Sequence, residues 1–119
     1  MALYLVQHGR NVGKDVDPEK GLSEAGRQEV ARIADMAAKA GIPVAIILHS
    51  GKKRAAQTAE IFAAALSPSG GVEQSDGMAP LDDVAAFAEK IDPKKDAMLV
   101  GHLPFMEKMA SHLVAGDAD

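Results

Sequence analysis

The feature that most constrains this chain is a set of short apolar runs in which polar residues do not alternate with apolar ones. Leu3-Tyr4-Leu5-Val6, Val44-Ala45-Ile46-Ile47-Leu48 and Ala97-Met98-Leu99-Val100 are each continuous, as expected of strands buried on both faces. Helical periodicity fills the intervals. Ser23 can cap a helix whose apolar positions Val30, Ile33, Ala34 and Ala37 follow i, i+3, i+4, i+7, with Gly41 and Pro43 to end it. A second helix is expected after Ser50, with Thr58, Ile61, Phe62 and Ala65 on one face. Pro80 to Ile91 reads as a third, stopped before Pro93, and Phe105, Met106, Met109, Ala110 and Leu113 begin a fourth. A short strand is expected around Val72. Strands alternating with helices predict an α/β fold, a three-layer α/β/α arrangement built from right-handed β-α-β units on a mainly parallel sheet. At 119 residues the chain fits a single domain, 1–119.

Composition excludes several classes of function. Seventeen acidic residues outnumber thirteen Lys and Arg, giving a formal net charge of −4, so the basic excess that drives nucleic-acid or membrane-surface binding is missing. With no cysteine, disulfides and thiolate metal sites are ruled out. No apolar run approaches the roughly 20 residues of a membrane span. The start, Met1-Ala2-Leu3-Tyr4-Leu5-Val6, lacks a basic n-region and reads as a strand rather than a signal peptide. A cytoplasmic setting is the expectation.

Three strands run directly into histidine: Val6 into Gln7-His8-Gly9, Leu48 into His49-Ser50, and Val100 into Gly101-His102. In open parallel sheets ligands sit outside the carboxyl ends of the strands, so His8, His49 and His102 are expected to converge on one crevice. Any one of them alone reads more simply as a satisfied surface or core histidine. His112, inside a helical pattern, is taken as structural. No two histidines are spaced for chelation from one helix and no carboxylate pattern accompanies them, which argues for no metal. Ser50-Gly51-Lys52-Lys53-Arg54 lacks the spacing of a nucleotide-binding loop. Its place at a helix start nonetheless offers free N–H groups to an anion, with Arg54 one turn in as a planar fork of donors.

Four blocks stand in order along the chain: Leu5-Val6-Gln7-His8-Gly9, Lys20-Gly21-Leu22-Ser23-Glu24-Ala25-Gly26, Ser50 to Ala59, and Val100-Gly101-His102-Leu103-Pro104. Together they resemble the histidine phosphatase superfamily, with its phosphoglycerate mutase-like fold, and within it the small phosphohistidine phosphatases of the SixA type. The matching signatures are Arg-His-Gly after the first strand, Arg-Pro-Leu-Thr-x-x-Gly, Ser-x-x-x-Arg-Ala-x-Gln-Thr-Ala and Gly-His-x-Pro. The resemblance implies that His8 is a nucleophile that becomes phosphorylated and that Arg54 and His102 bind the phosphoryl oxygens. It implies no cofactor and no metal. A general acid is sought at Asp17, in the loop before Lys20, or at Asp82 and Asp83 after Pro80, each of which also reads as a plain solvated carboxylate or helix cap.

Two departures from the family pattern stand out. The family's first pocket arginine aligns with Gln7, whose amide donates hydrogen bonds without charge; bonds to charged groups contribute about 1.5–3 kcal/mol against about 0.5–1.5 for neutral ones. Arg10 is close enough in sequence to supply that charge if it faces the pocket. Relatives also continue with further sheet strands after the last histidine block, which a domain ending at Asp119 is expected to lack. The implied activity is hydrolysis of phosphohistidine on a carrier protein, such as a histidine phosphocarrier domain, or of small phosphomonoesters. The alternative is a weakly active or non-catalytic phosphoryl-binding regulatory module.

Overall fold

A parallel sheet carries the molecule, and its order is not the order of the sequence. The computed structural model describes residues 3–75 and 96–102. Strands β1 (Leu3–Gln7), β2 (Ile46–His49), β3 (Val72–Gln74) and β4 (Ala97–Gly101) form one sheet in the order β1-β4-β2-β3, with every pair parallel. The last strand in sequence is thus inserted between the first two, with Val6 opposite Val100 and Leu48 opposite Leu99. The third and fourth predicted helices, together with Asp82, Asp83 and His112, lie outside the described residues.

Helix α1 (Glu24–Lys39) starts where the sequence places its cap. The Ser23 side chain accepts from the Gly26 N–H at 3.0 Å, replacing one of the orphaned donors of the first turn. Gly26 is required for a second reason: a Cβ there would collide with the Arg10 carbonyl, and the loop from β1 crosses the helix at that point. Helix α2 (Lys53–Leu66) has Lys52 at its N-cap, which makes no side-chain cap bond, and has no acidic residue in its first turn.

Both helices pack on one face of the sheet. Val30 and Ala34 of α1 and Ala55, Ala59 and Phe62 of α2 meet Ile47, Met98 and Val100, with Tyr4 and Val6 alongside. These strand residues alternate, as side chains on one face of a pleated sheet must. Ala97 and Leu99, the intervening residues of β4, are only 2% and 0% exposed. The central strand is therefore buried on both faces, as its unbroken apolar run requires.

Candidate active site

The sheet order brings two of the strand-end histidines side by side. Because β1 and β4 are neighbours, their last residues Gln7 and Gly101 pair, and the His8 N–H continues the ladder to the Gly101 carbonyl at 3.0 Å. His8 stands two residues beyond Val6 and His102 two beyond Val100, so alternation sends both rings toward the face covered by α1 and α2. The ring centroids are 4.8 Å apart and tilted at 55°. The first turn of α2 brings Arg54 to the same spot, where its Nε donates to His8 Nε2 at 3.3 Å.

The tautomer of His8 follows from its other nitrogen. Nδ1 lies 2.7 Å from the Gly9 carbonyl, which can only accept, so Nδ1 carries the proton and Nε2 keeps its lone pair. Burial holds the imidazole below its ordinary value, with the nearby Arg54 charge acting the same way and the Gly9 bond opposing. His8 is therefore neutral near pH 7 and presents Nε2 toward the guanidinium. His102 is 3% exposed and is pushed down to about 4, by burial first, then by repulsion from His8 once that ring is protonated, and by the charges of Arg54 and Lys52.

Two residues that sequence reasoning did not place in the site hold it together. Ser50 Oγ, at the end of β2, lies 2.6 Å from His102 Nε2. Thr58, fully buried on α2, accepts from the Gly9 N–H at 3.0 Å and donates to the Arg54 carbonyl at 2.7 Å. One hydroxyl thus joins the turn that fixes His8 to the turn that presents Arg54. Gln57 makes a parallel link, its Oε1 accepting from the Leu22 N–H at 2.7 Å. Both residues lie in the Ser50–Ala59 block, and only the topology shows what they hold.

Several expectations change. His49 does not join the other two histidines: its Nδ1 accepts from the Gly51 N–H at 3.1 Å and closes the turn after β2. That turn needs glycine, since Gly51 has φ +93° and a Cβ there would meet the Gln74 amide at 2.5 Å. Asp17 is bound up in structure. It accepts from Lys53 Nζ at 2.7 Å and from the N–H groups of Glu19 at 3.0 Å and Gly21 at 3.1 Å. The Lys53 bond foremost, then the two backbone donors, hold its carboxyl down to about 2, so it carries no proton to donate near neutrality. Arg10 bonds to α1, its Nε on Glu29 at 2.7 Å, and lines the same cavity as Gln7 and His8. Gln7 is exposed and lines, with His8, a cavity of about 290 Å³ against α1. Arg54 is the one cation bonded to His8 among the described residues. No group of three or more metal-ligating side chains occurs among the described residues, and none of their helices is long and apolar enough to cross a membrane.

Comparison with known proteins places this geometry in a family. Residues 3–82 match the family described as the histidine phosphatase superfamily, branch 1. The chain belongs to that superfamily, and it is a phosphatase of the phosphoglycerate mutase-like α/β fold. A structure from Agrobacterium tumefaciens, described as a candidate phosphohistidine phosphatase SixA, is similar at 28% identity and TM-score 0.79, covering 94% of this chain and 74% of that one. The protein histidine phosphatase SixA complexed with tungstate is similar in fold at 20% identity and TM-score 0.81, covering 95% and 76%. A mycobacterial glucosyl-3-phosphoglycerate phosphatase in complex with VO3 is similar at 16% identity and TM-score 0.67, covering 94% and 79%. No curated protein sequence is significantly similar to the chain.

Proposed function

We propose that the chain hydrolyses phosphohistidine on a carrier protein through a covalent intermediate on His8. The observation that carries this reading is the His8 ring itself: Nδ1 tied to the Gly9 carbonyl, Nε2 unprotonated, and Arg54 at 3.3 Å. A nucleophile fixed in one tautomer needs no base to activate it. In the first step the Nε2 lone pair forms a bond to phosphorus while the bond to the substrate's imidazole breaks. The departing imidazole takes a proton from solvent, which is why a dedicated acid is dispensable for this substrate. In the second step water attacks the same phosphorus, the bond to Nε2 breaks, the water's proton passes to solvent and phosphate leaves.

Arg54 moves its hydrogen bond from His8 to the equatorial phosphoryl oxygens, where charge and fixed donors count most. His102, held by Ser50, stands beside the His8 ring and completes the phosphoryl pocket. The similarity to a SixA structure at 28% identity supports this choice of substrate class. Residues 1–119 act as one domain in this reading.

Gln7 favours a second reading, a weakly active or non-catalytic phosphoryl-binding regulatory module. With Arg10 bonded to Glu29, Arg54 is the only guanidinium bonded to His8 among the described residues. Turnover assays on a phosphorylated histidine carrier domain beside simple phosphomonoesters separate the readings. Faster release from the carrier supports the proposal, release from esters alone moves the substrate to small molecules, and binding without turnover leaves the module.

A further inference from the structure

Beside Arg54 opens a second cavity, of about 370 Å³, lined by Lys14, Lys20, Lys52 and Lys53, with Glu19 the one acidic residue among the lining. In a chain of net charge −4 this is a local concentration of positive charge. Lys53 is neutralised from behind by Asp17 at 2.7 Å, with Glu19 a further 3.8 Å contact. Lys14, Lys20 and Lys52 make no ion pair among the described residues. Lys20 also sits at φ +51°, a region that residues other than Gly, Asn and Asp seldom adopt. It is kept there by Asp17, which takes the N–H groups of Glu19 and Gly21 on either side. Backbone strain retained where a side chain lines a cavity points to use of that side chain.

We propose that this basic cavity is a second anion subsite, continuous with the phosphoryl pocket through Arg54, and that it selects substrates bearing a further carboxylate or phosphate close to the scissile phosphoryl group. The inference rests on the phosphoryl-site reading above. Asp17, considered as a general acid from sequence, acts instead as the brace that holds the Lys20 backbone in place on the cavity wall. Those lysines do no chemistry on phosphorus; they hold the rest of the substrate.

The test uses two non-hydrolysable probes, phenylphosphonate and para-carboxyphenylphosphonate, titrated calorimetrically into the unaltered chain and into Lys14→Gln/Lys20→Asn. Asparagine tolerates the left-handed backbone, and unchanged thermal unfolding confirms that the variant folds. The exposed Lys14→Gln single variant gives the same direction should the double variant fail to fold. The carboxylate should improve binding by roughly tenfold in the unaltered chain, as two or three partly screened ion pairs allow. The double variant should lose most of that advantage while binding phenylphosphonate as before.

Phosphohistidine peptides flanked by aspartate or by serine identify the source. An aspartate preference lost in the variant puts the second anion on a polypeptide. No such preference, with the phosphonate advantage intact, puts it on a small molecule. Equal binding of the two phosphonates by the unaltered chain, or an advantage that survives the substitutions, overturns the subsite. If neither phosphonate binds, the phosphoryl site itself is refuted and the subsite with it.

Discussion

Replacing Thr58 by valine should separate the chemistry of the site from its scaffolding. Valine preserves the shape of a side chain that is 0% exposed and removes only the hydroxyl that bridges the Gly9 N–H and the Arg54 carbonyl, at 3.0 and 2.7 Å. The carbonyl keeps its helical partner, the Thr58 N–H, so its loss is small. The Gly9 N–H is left without a partner against the core, and an orphaned donor of that kind costs about 1–3 kcal/mol. At this chain length each kcal/mol lowers Tm by about 4 °C, so a fall of roughly 4–12 °C is expected. Gly9 also supplies the carbonyl that fixes His8 Nδ1, so kcat should fall about tenfold or more with KM little changed, since positioning is lost rather than binding. Thr58→Ser keeps the hydroxyl and should recover most of the rate. Calorimetric unfolding and steady-state kinetics on the three proteins settle the matter. A valine variant as stable and active as the unaltered chain, or a serine variant no better than valine, refutes the bridging role.

Other outcomes follow from the same geometry. Because burial lowers the His8 value below the ordinary 6.5, the acid limb of the kcat/KM profile should fall below pH 6.5; a limb at or above 7 contradicts the tautomer argument. His102, held at about 4 instead of 6.5, binds fewer protons folded than unfolded between those values, so stability should be lost as pH falls from about 6.5 to about 4 and be flat above. Denaturation midpoints across that range, with His102→Asn flattening the loss, check the sign. Gln7→Arg should tighten phosphate or vanadate binding and raise the rate by roughly tenfold or less, well short of the 10³–10⁵ of an ideally placed arginine; no change in either shows that Gln7 does not face the phosphoryl group. Activity should also survive exhaustive chelation, and metal-dependent turnover would replace the nucleophilic mechanism with a metal-assisted one.

The elements of the fold were legible because their signals are local. The unbroken runs of β1 and β4, the Ser23 cap and the weak strand at Val72 all appear where the residues place them. The β2 strand begins at Ile46 rather than Val44, because the chain is still turning there, with the Ala45 and Ile46 N–H groups both directed at the Asp96 carbonyl. The strand order was not legible. Only insertion of β4 between β1 and β2 explains why His8 meets His102 and why Ser50 reaches it from the other side. Position at a strand end predicts the neighbourhood of a histidine, but the next turn decides its direction. His49 is lost from the site for that reason, its ring captured by the Gly51 N–H. Asp17 shows the same limit from the side of charge, since nothing in the sequence pairs it with Lys53, 36 residues on.

The covalent intermediate on His8 is tested at its source by locating the phosphoryl group on the protein. The chain is mixed with a phosphohistidine-bearing donor, quenched during turnover, and examined by phosphorus NMR and by mass spectrometry of its peptides. An acid-labile, alkali-stable phosphoryl group is expected on Nε2 of His8, absent from His8→Ala, which should also lose all turnover. A phosphoryl group on another residue or on Nδ1 would contradict it, as would turnover that persists in His8→Ala.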